Sequence, residues 1–437
     1  MFDLGLLCLL CAMGWLLRGH AYARGKLQIN PVFAVVAGTF YYVVLPCVIV
    51  RYFSDLVGGI TVYDRYFTVE NATFVTFFWA LVLACLSLGL RIADPTSRRR
   101  TRTSKSARDR RPAPTQWMFA TLCTAFVLLL LSAFSIRDSL FAGYDEFVLL
   151  DEAVWQARGT MSSLYSVMAV FQLGLLFRHG NASLARRTRL TMLLVFVVSS
   201  GLLLSMGARL YVVMAMLSAI SLYSLRNGGI GGMRFFGVII IGFTVFGGIG
   251  VLRAGALDGL TTILMNVATE PMLTSISMFS LITDNPLPWI GQPWMLPADF
   301  QAALPSLLFP GKALLFDRLS DYGYAFEAPL GGYHLIFSAL INFGVLGTLF
   351  VAFLAGLALG RLARRQRGEP DRAMWTLCCV SLTGMLAFSI FRDPFFISVV
   401  KNVFVVSILV PWVVERLAQG RPWTRPFSQA PHRMSAT

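Results

Sequence analysis

Four histidines and a few arginines set beside long apolar runs are the residues of this chain whose types and settings could do chemistry. His334 stands directly ahead of LIFSALINFGVLG. An imidazole titrates near neutral pH and could take a proton from a hydroxyl, although the same position suits a histidine capping a helix. His20, His179 and His432 lie among arginines and read as solvated. Arg209 in SMGARLY, Arg253 in VLRAG and Arg392 in FRDP each abut an apolar run. Charge at such positions is costly unless it is paired or used. The planar guanidinium fork matches phosphate oxygens, so a ring of these arginines would suit a diphosphate. For Arg392 a structural pair with Asp393 is the plain alternative. Arg158 and Arg318 extend the ring, and Glu270 and Glu327 are the reserve carboxylates for accepting a proton. No His/Asp/Glu group has metal-ligand spacing, and the seven cysteines fall inside apolar runs as small core residues. Neither metal nor cofactor is expected.

The elements that hold these residues follow from composition. Of 437 residues 56% are hydrophobic and 14% charged, and mean hydropathy is +0.67. Stretches of about 20 apolar residues recur, each long enough to cross the hydrocarbon core as a helix. Apolar runs against charged breaks predict about eleven spans (11–13 at the outside), near 2–17, 31–50, 71–90, 115–134, 161–177, 190–205, 210–225, 235–251, 335–360, 373–391 and 395–414. The fold class expected is therefore an all-α polytopic membrane protein. Because the first run follows Asp3 rather than a basic segment, it reads as a span and not as a leader.

The connecting segments alternate in charge. Segments 18–30, 91–114, 178–189, 226–234, 361–372 and 415–437 hold 27 basic residues and five acidic ones; the remaining segments hold nine basic and seventeen acidic. Positive charge stays on the cytoplasmic side, which puts the N-terminus outside and the C-terminus inside. The net charge of +15 thus reports topology and contact with anionic lipid rather than nucleic acid.

This parity divides the chain into a bundle of about eight spans (1–251), a long outer loop (252–334), about three further spans (335–414) and a cytoplasmic tail (415–437). The loop exceeds eighty residues, is rich in Pro, Gly and aromatics, and is long enough to be a functional cover. Trp289 and Trp294 could anchor it at the interface or stack on sugar rings. Within it, residues 261–282 are apolar but carry Asn266, Glu270 and Pro271, and read as an amphipathic helix lying on the outer interface.

Three stretches give the chain a family likeness: LLLSMGARLYVVMAMLSA (202–219), LPSLLFPGKALLF (304–316) and GGYHLIFSALINFGVLGTLFVAFLAGLALG (331–360). In this order, and with this topology, the chain resembles bacterial O-antigen polymerases of the Wzy type within the wider polymerase and ligase superfamily. The resemblance implies an inner-membrane enzyme that joins glycan repeat units carried on undecaprenyl diphosphate at the periplasmic face. It implies no nucleotide sugar and no essential metal, and a chain-length regulator as protein partner. Arg209, Arg253 and Arg392 would neutralise the leaving diphosphate, and His334 would deprotonate the acceptor hydroxyl. The chain departs from the ligases in having Leu335 after the histidine, and it lacks the acidic residue many members carry before the FG pair. An O-antigen ligase is the nearest rival and a lipid-linked-sugar flippase the rival of another class. Against the flippase stand the absence of an internal repeat and the near absence of mid-span charge, Lys401 excepted.

Overall fold

The computed structural model describes residues 1–23, 25–54, 65–94, 116–140, 152–183, 186–237, 260–287, 289–291, 334–369, 372–392 and 397–419. Of these, 88% are helical. Among the described residues, eight helices are long and apolar enough to cross a membrane, as an all-α polytopic membrane protein requires. They are α1 (Phe2–Ala21), α2 (Pro31–Tyr52), α3 (Val69–Ala93), α4 (Gln116–Ser135), α5 (Glu152–Ser183), α6 (Arg186–Ser205), α9 (Leu335–Gly368) and α10 (Ala373–Arg392). Between α6 and α9 come α7 (Arg209–Arg226) and α8 (Leu260–Asp284). After α10 comes α11, π-helical over Ile397–Leu409 and α-helical over Val410–Gln419. The expected span 210–225 is thus helical, and so is 395–414 from Ile397 onward, although neither is among the eight. The expected span 235–251 lies almost wholly outside the described residues.

The helices pack in two halves. One buries residues of α1, α2, α3, α8 and α9 around Tyr42, Trp79 and Phe279. The other buries residues of α4, α5, α6, α7 and α11 around Met118, Tyr165 and Met214. Helix α10 belongs to both: Leu382, Leu386 and Phe391 join the first core, Leu377, Val380 and Met385 the second, and Phe388 touches each. Where the halves meet along α10, three polar contacts tie them. Ile29 donates its N–H to the Ser224 hydroxyl, and Ser221 donates to the Ile29 carbonyl and lies 3.3 Å from the Thr383 hydroxyl.

Proline shapes α2. Asn30 caps it through Phe33 N–H, and Pro31 stands at its first turn. Pro46 has no N–H for the carbonyl of Tyr42, four residues back. The helix answers with a π-helical turn over Phe40–Val44. The Tyr42 carbonyl lies 3.2 Å from the Ser275 hydroxyl of α8, which it shares with the Pro271 carbonyl at 2.7 Å. A side chain from a neighbouring helix thus partly replaces the lost bond, as lipid-embedded prolines require.

Helix α8 corrects the expectation of an interfacial helix. From Met272 to Leu281 its side chains are buried nearly all round, among α2, α3 and α9. Its polar residues mimic a water-facing stripe, yet they satisfy themselves. Thr274, Ser275 and Thr283 donate to the carbonyls four residues back, and Ser277 and Ser280 to those three back. A serine so bonded needs no water.

The NFG stretch of α9 is a break in the helix. Gly344 has φ 68° and ψ −174°, a conformation open essentially only to glycine. The break lets the segment at Trp289–Gly291 lie against the helix, with Leu346 N–H donating to the Trp289 carbonyl. A Cβ on Gly344 would stand 2.5 Å from Gly291 N and 2.7 Å from the Trp289 carbonyl oxygen. Gly344→Ala is expected to cost about 1–3 kcal/mol from the backbone alone. Thermal unfolding of the purified variant should fall by several degrees; an unchanged midpoint would contradict the break.

Candidate functional site

Arg209, Glu270 and Arg392, far apart in sequence, converge. The chain turns from α6 into α7 through a left-handed Gly207, which makes Arg209 the first residue of α7. Arg392 is the last residue of α10, and Glu270 precedes the proline inside α8. One oxygen of Glu270 lies 3.2 Å from Arg392 Nη1 and accepts from the Tyr42 hydroxyl at 3.2 Å. The other lies 3.5 Å from Arg209 Nη2.

Four helices from both halves therefore supply this cluster, at the seam along α10. Two guanidiniums face one carboxylate within an apolar bundle. The site is not sealed. The side chains of Arg209 and Arg392 are 29% and 36% exposed, that of Glu270 is 16% exposed, and Thr269 beside it is exposed. At 1.5 Å of rise per residue, Glu270 and Tyr42 lie roughly 15–20 Å below the ends of their helices at Asp284 and Tyr52. At that end Arg65 ion-pairs with Asp284 at 2.7 Å, and Tyr66 donates to the same carboxylate.

Below the charges lies an aromatic wall. Tyr42 stacks on Phe391 with centroids 5.6 Å apart, and Tyr41 and Tyr42 both meet Phe388 edge-on. His334 is on the far side of that wall. Its ring is fully buried between Trp79 (5.7 Å) and Phe391 (5.9 Å), and its backbone N–H donates to the Ser277 hydroxyl. Burial pushes the pKa of the imidazole down to about 3. The histidine expected to act as a base therefore sits one aromatic ring away from Tyr42, in a setting that opposes protonation.

This burial has a consequence for stability. Between pH 6.5 and 3 the unfolded chain binds a proton at His334 that the folded chain refuses, so stability from this group is lost as pH falls through that range. His334→Gln should flatten the decline in unfolding temperature between pH 7 and 5. If wild type and variant decline in parallel, the buried neutral imidazole is wrong.

Of the other residues singled out from sequence, Arg158 is partly exposed near the start of α5, where its carbonyl accepts from the Ser162 hydroxyl; it does not join Glu270. Arg253, Arg318, Glu327, Asp393 and Trp294 lie outside the described residues. Trp289 is exposed at the α9 break. Sequence reasoning passes over Tyr41 and Tyr42, although two adjacent phenols inside an apolar run ahead of a proline are a readable signal. It also gives no setting to Lys401, whose ammonium lies 5.8 Å from the centroid of the Tyr211 ring. Among the described residues no group of three His, Cys, Asp or Glu could hold a metal ion.

Comparisons with protein-family models, with curated proteins and with solved structures return no match.

Proposed function

We propose that this chain is a bacterial inner-membrane glycan polymerase that transfers a growing saccharide from undecaprenyl diphosphate to a hydroxyl of the incoming lipid-linked unit. The observation that carries the reading is the pair Arg209 and Arg392, brought from two helices onto one anion inside an apolar bundle. With the N-terminus outside, that pair opens toward the periplasm. As the acceptor oxygen bonds to the anomeric carbon, the bond from that carbon to the diphosphate breaks and the diphosphate leaves with the electron pair. The two guanidiniums neutralise the charge that develops there. The acceptor proton goes to a carboxylate or imidazole at hand. Glu270, which touches both arginines, suits this step better than the walled-off His334.

Deletion of the gene tests the reading directly. Loss of a polymerase leaves lipopolysaccharide capped with single repeat units; bare core would instead mark a ligase.

A second reading is favoured by one observation, the charge cluster at a seam between two packed halves, which is where a transporter for a lipid-linked anion would bind it. Protein reconstituted in vesicles separates the two. A polymerase lengthens lipid-linked glycan within one leaflet, whereas a flippase moves it across without lengthening it.

A further inference from the structure

Glu270 is held as a bound ligand would be. Donors from α2, α7 and α10 converge on its two oxygens: Tyr42 and Arg392 on one, Arg209 on the other. The two oxygens set against the two guanidiniums are what a pair of phosphate oxygens would present to them, while the Tyr42 hydroxyl serves to hold the carboxylate in place. A carboxylate and a diphosphate cannot both fill the space between the two forks.

We propose that Glu270 is a built-in counter-ion that occupies the diphosphate subsite at rest and is displaced when substrate diphosphate arrives. The inference rests on the functional reading above. Its physical basis is the cost of the alternative. Two guanidiniums facing each other without an anion in an apolar bundle would repel and pull apart. Glu270 keeps both oriented and compensated until a more highly charged ligand replaces it. The leaving motion has a local origin. Pro271 follows Glu270 directly and gives no N–H to the carbonyl of Val267, so this turn of α8 is tied less firmly than its neighbours. Thr269, the residue before Glu270, is exposed.

Occupation by Glu270 also sets selectivity. The common phosphatidylethanolamine and phosphatidylglycerol headgroups each offer a phosphodiester with one negative charge, matched by the resident carboxylate and unable to displace it. A diphosphate carries more charge and can. The intrinsic affinity for diphosphate is reduced by the fraction of time Glu270 vacates the arginines.

The test measures binding of inorganic pyrophosphate and of glycerophosphoglycerol, a soluble phosphodiester, to the full chain in phosphatidylcholine nanodiscs. Wild type is compared with Glu270→Gln, Tyr42→Phe, Arg209→Ala and Arg392→Ala. Glu270→Gln should bind pyrophosphate about tenfold more tightly and should gain measurable affinity for the phosphodiester. Tyr42→Phe removes one of the bonds holding Glu270 while keeping every charge, and should tighten pyrophosphate binding about two- to threefold. If either variant binds pyrophosphate no more tightly than wild type while the arginine variants lose binding, the displacement is overturned and the functional reading stands. If Arg209→Ala and Arg392→Ala bind as wild type does, the arginine pair is not the diphosphate site and both fall. Should Glu270→Gln fail to give monodisperse protein, Tyr42→Phe decides alone, since unchanged or weaker binding overturns the proposal.

Discussion

Replacing Arg209 or Arg392 with alanine should reduce glycan transfer at least about a hundredfold, the loss that follows removal of one donor stabilising a developing oxyanion. The expected readout is disappearance of the ladder of surface polysaccharide in cells and of chain extension by purified protein. The two variants should resemble each other and their double mutant, because each leaves a single guanidinium for a group that needs two. Lysine keeps the charge but not the fork. Arg209→Lys and Arg392→Lys should therefore retain part of the activity, within about tenfold of wild type. Folding is the competing explanation for any loss, since Glu270 would then keep one cation where it had two. Equal yield and unfolding temperature of the lysine variants separate the explanations. Normal ladders from both alanine variants would remove the site from consideration.

Gly356→Leu should prevent the two most closely packed helices from meeting. Along the α3–α9 contact, Gly89 lies against the backbone of Phe353, Gly356 and Leu357, and Gly356 lies against the backbone of Leu86 and Leu90. Any Cβ on Gly356 would run into the Leu86 carbonyl oxygen and stand 3.0 Å from Leu90 N. These are backbone atoms, which no rotamer change can move aside. Gly360, four residues on, meets Ala93 and Leu90 in the same way and completes a small-xxx-small stripe. Overpacking typically costs about 1–3 kcal/mol, and a backbone collision belongs at or above the upper end of that range. Gly356→Leu should give little monodisperse protein. Gly356→Ala should fold with a clearly lowered unfolding temperature, because the Cβ alone makes the clash. An alanine variant as stable as wild type would refute this packing. The α3–α9 pair carries consequences beyond itself, since Trp79 of α3 backs Phe391 and through it Tyr42.

Much of the site is legible in the amino-acid sequence. Arg209, Arg392 and Glu270 stand out because charge beside apolar runs is expensive, and that cost depends only on what neighbours a residue in sequence. His334 shows where such reasoning stops. Its place ahead of α9 is plain from the residues, but whether an imidazole faces a substrate or a wall depends on Trp79 and Phe391, which come from two other helices. Helix α8 shows the same boundary in another form. Its Ser and Thr residues look solvent-seeking in a periodic pattern, and only their bonds to their own helix's carbonyls make burial tolerable.

Residue types and their order are enough to establish a many-helix membrane protein and to pick out the few charges that have to be explained. Both follow from the free energy of placing apolar and charged side chains in lipid, a property of the residues and their local order. That Arg209 and Arg392 close on Glu270, and that Tyr42 completes the set, is settled by packing alone. Those contacts span 61, 122 and 228 positions of chain, and they exist because α10 brings two separately packed halves together.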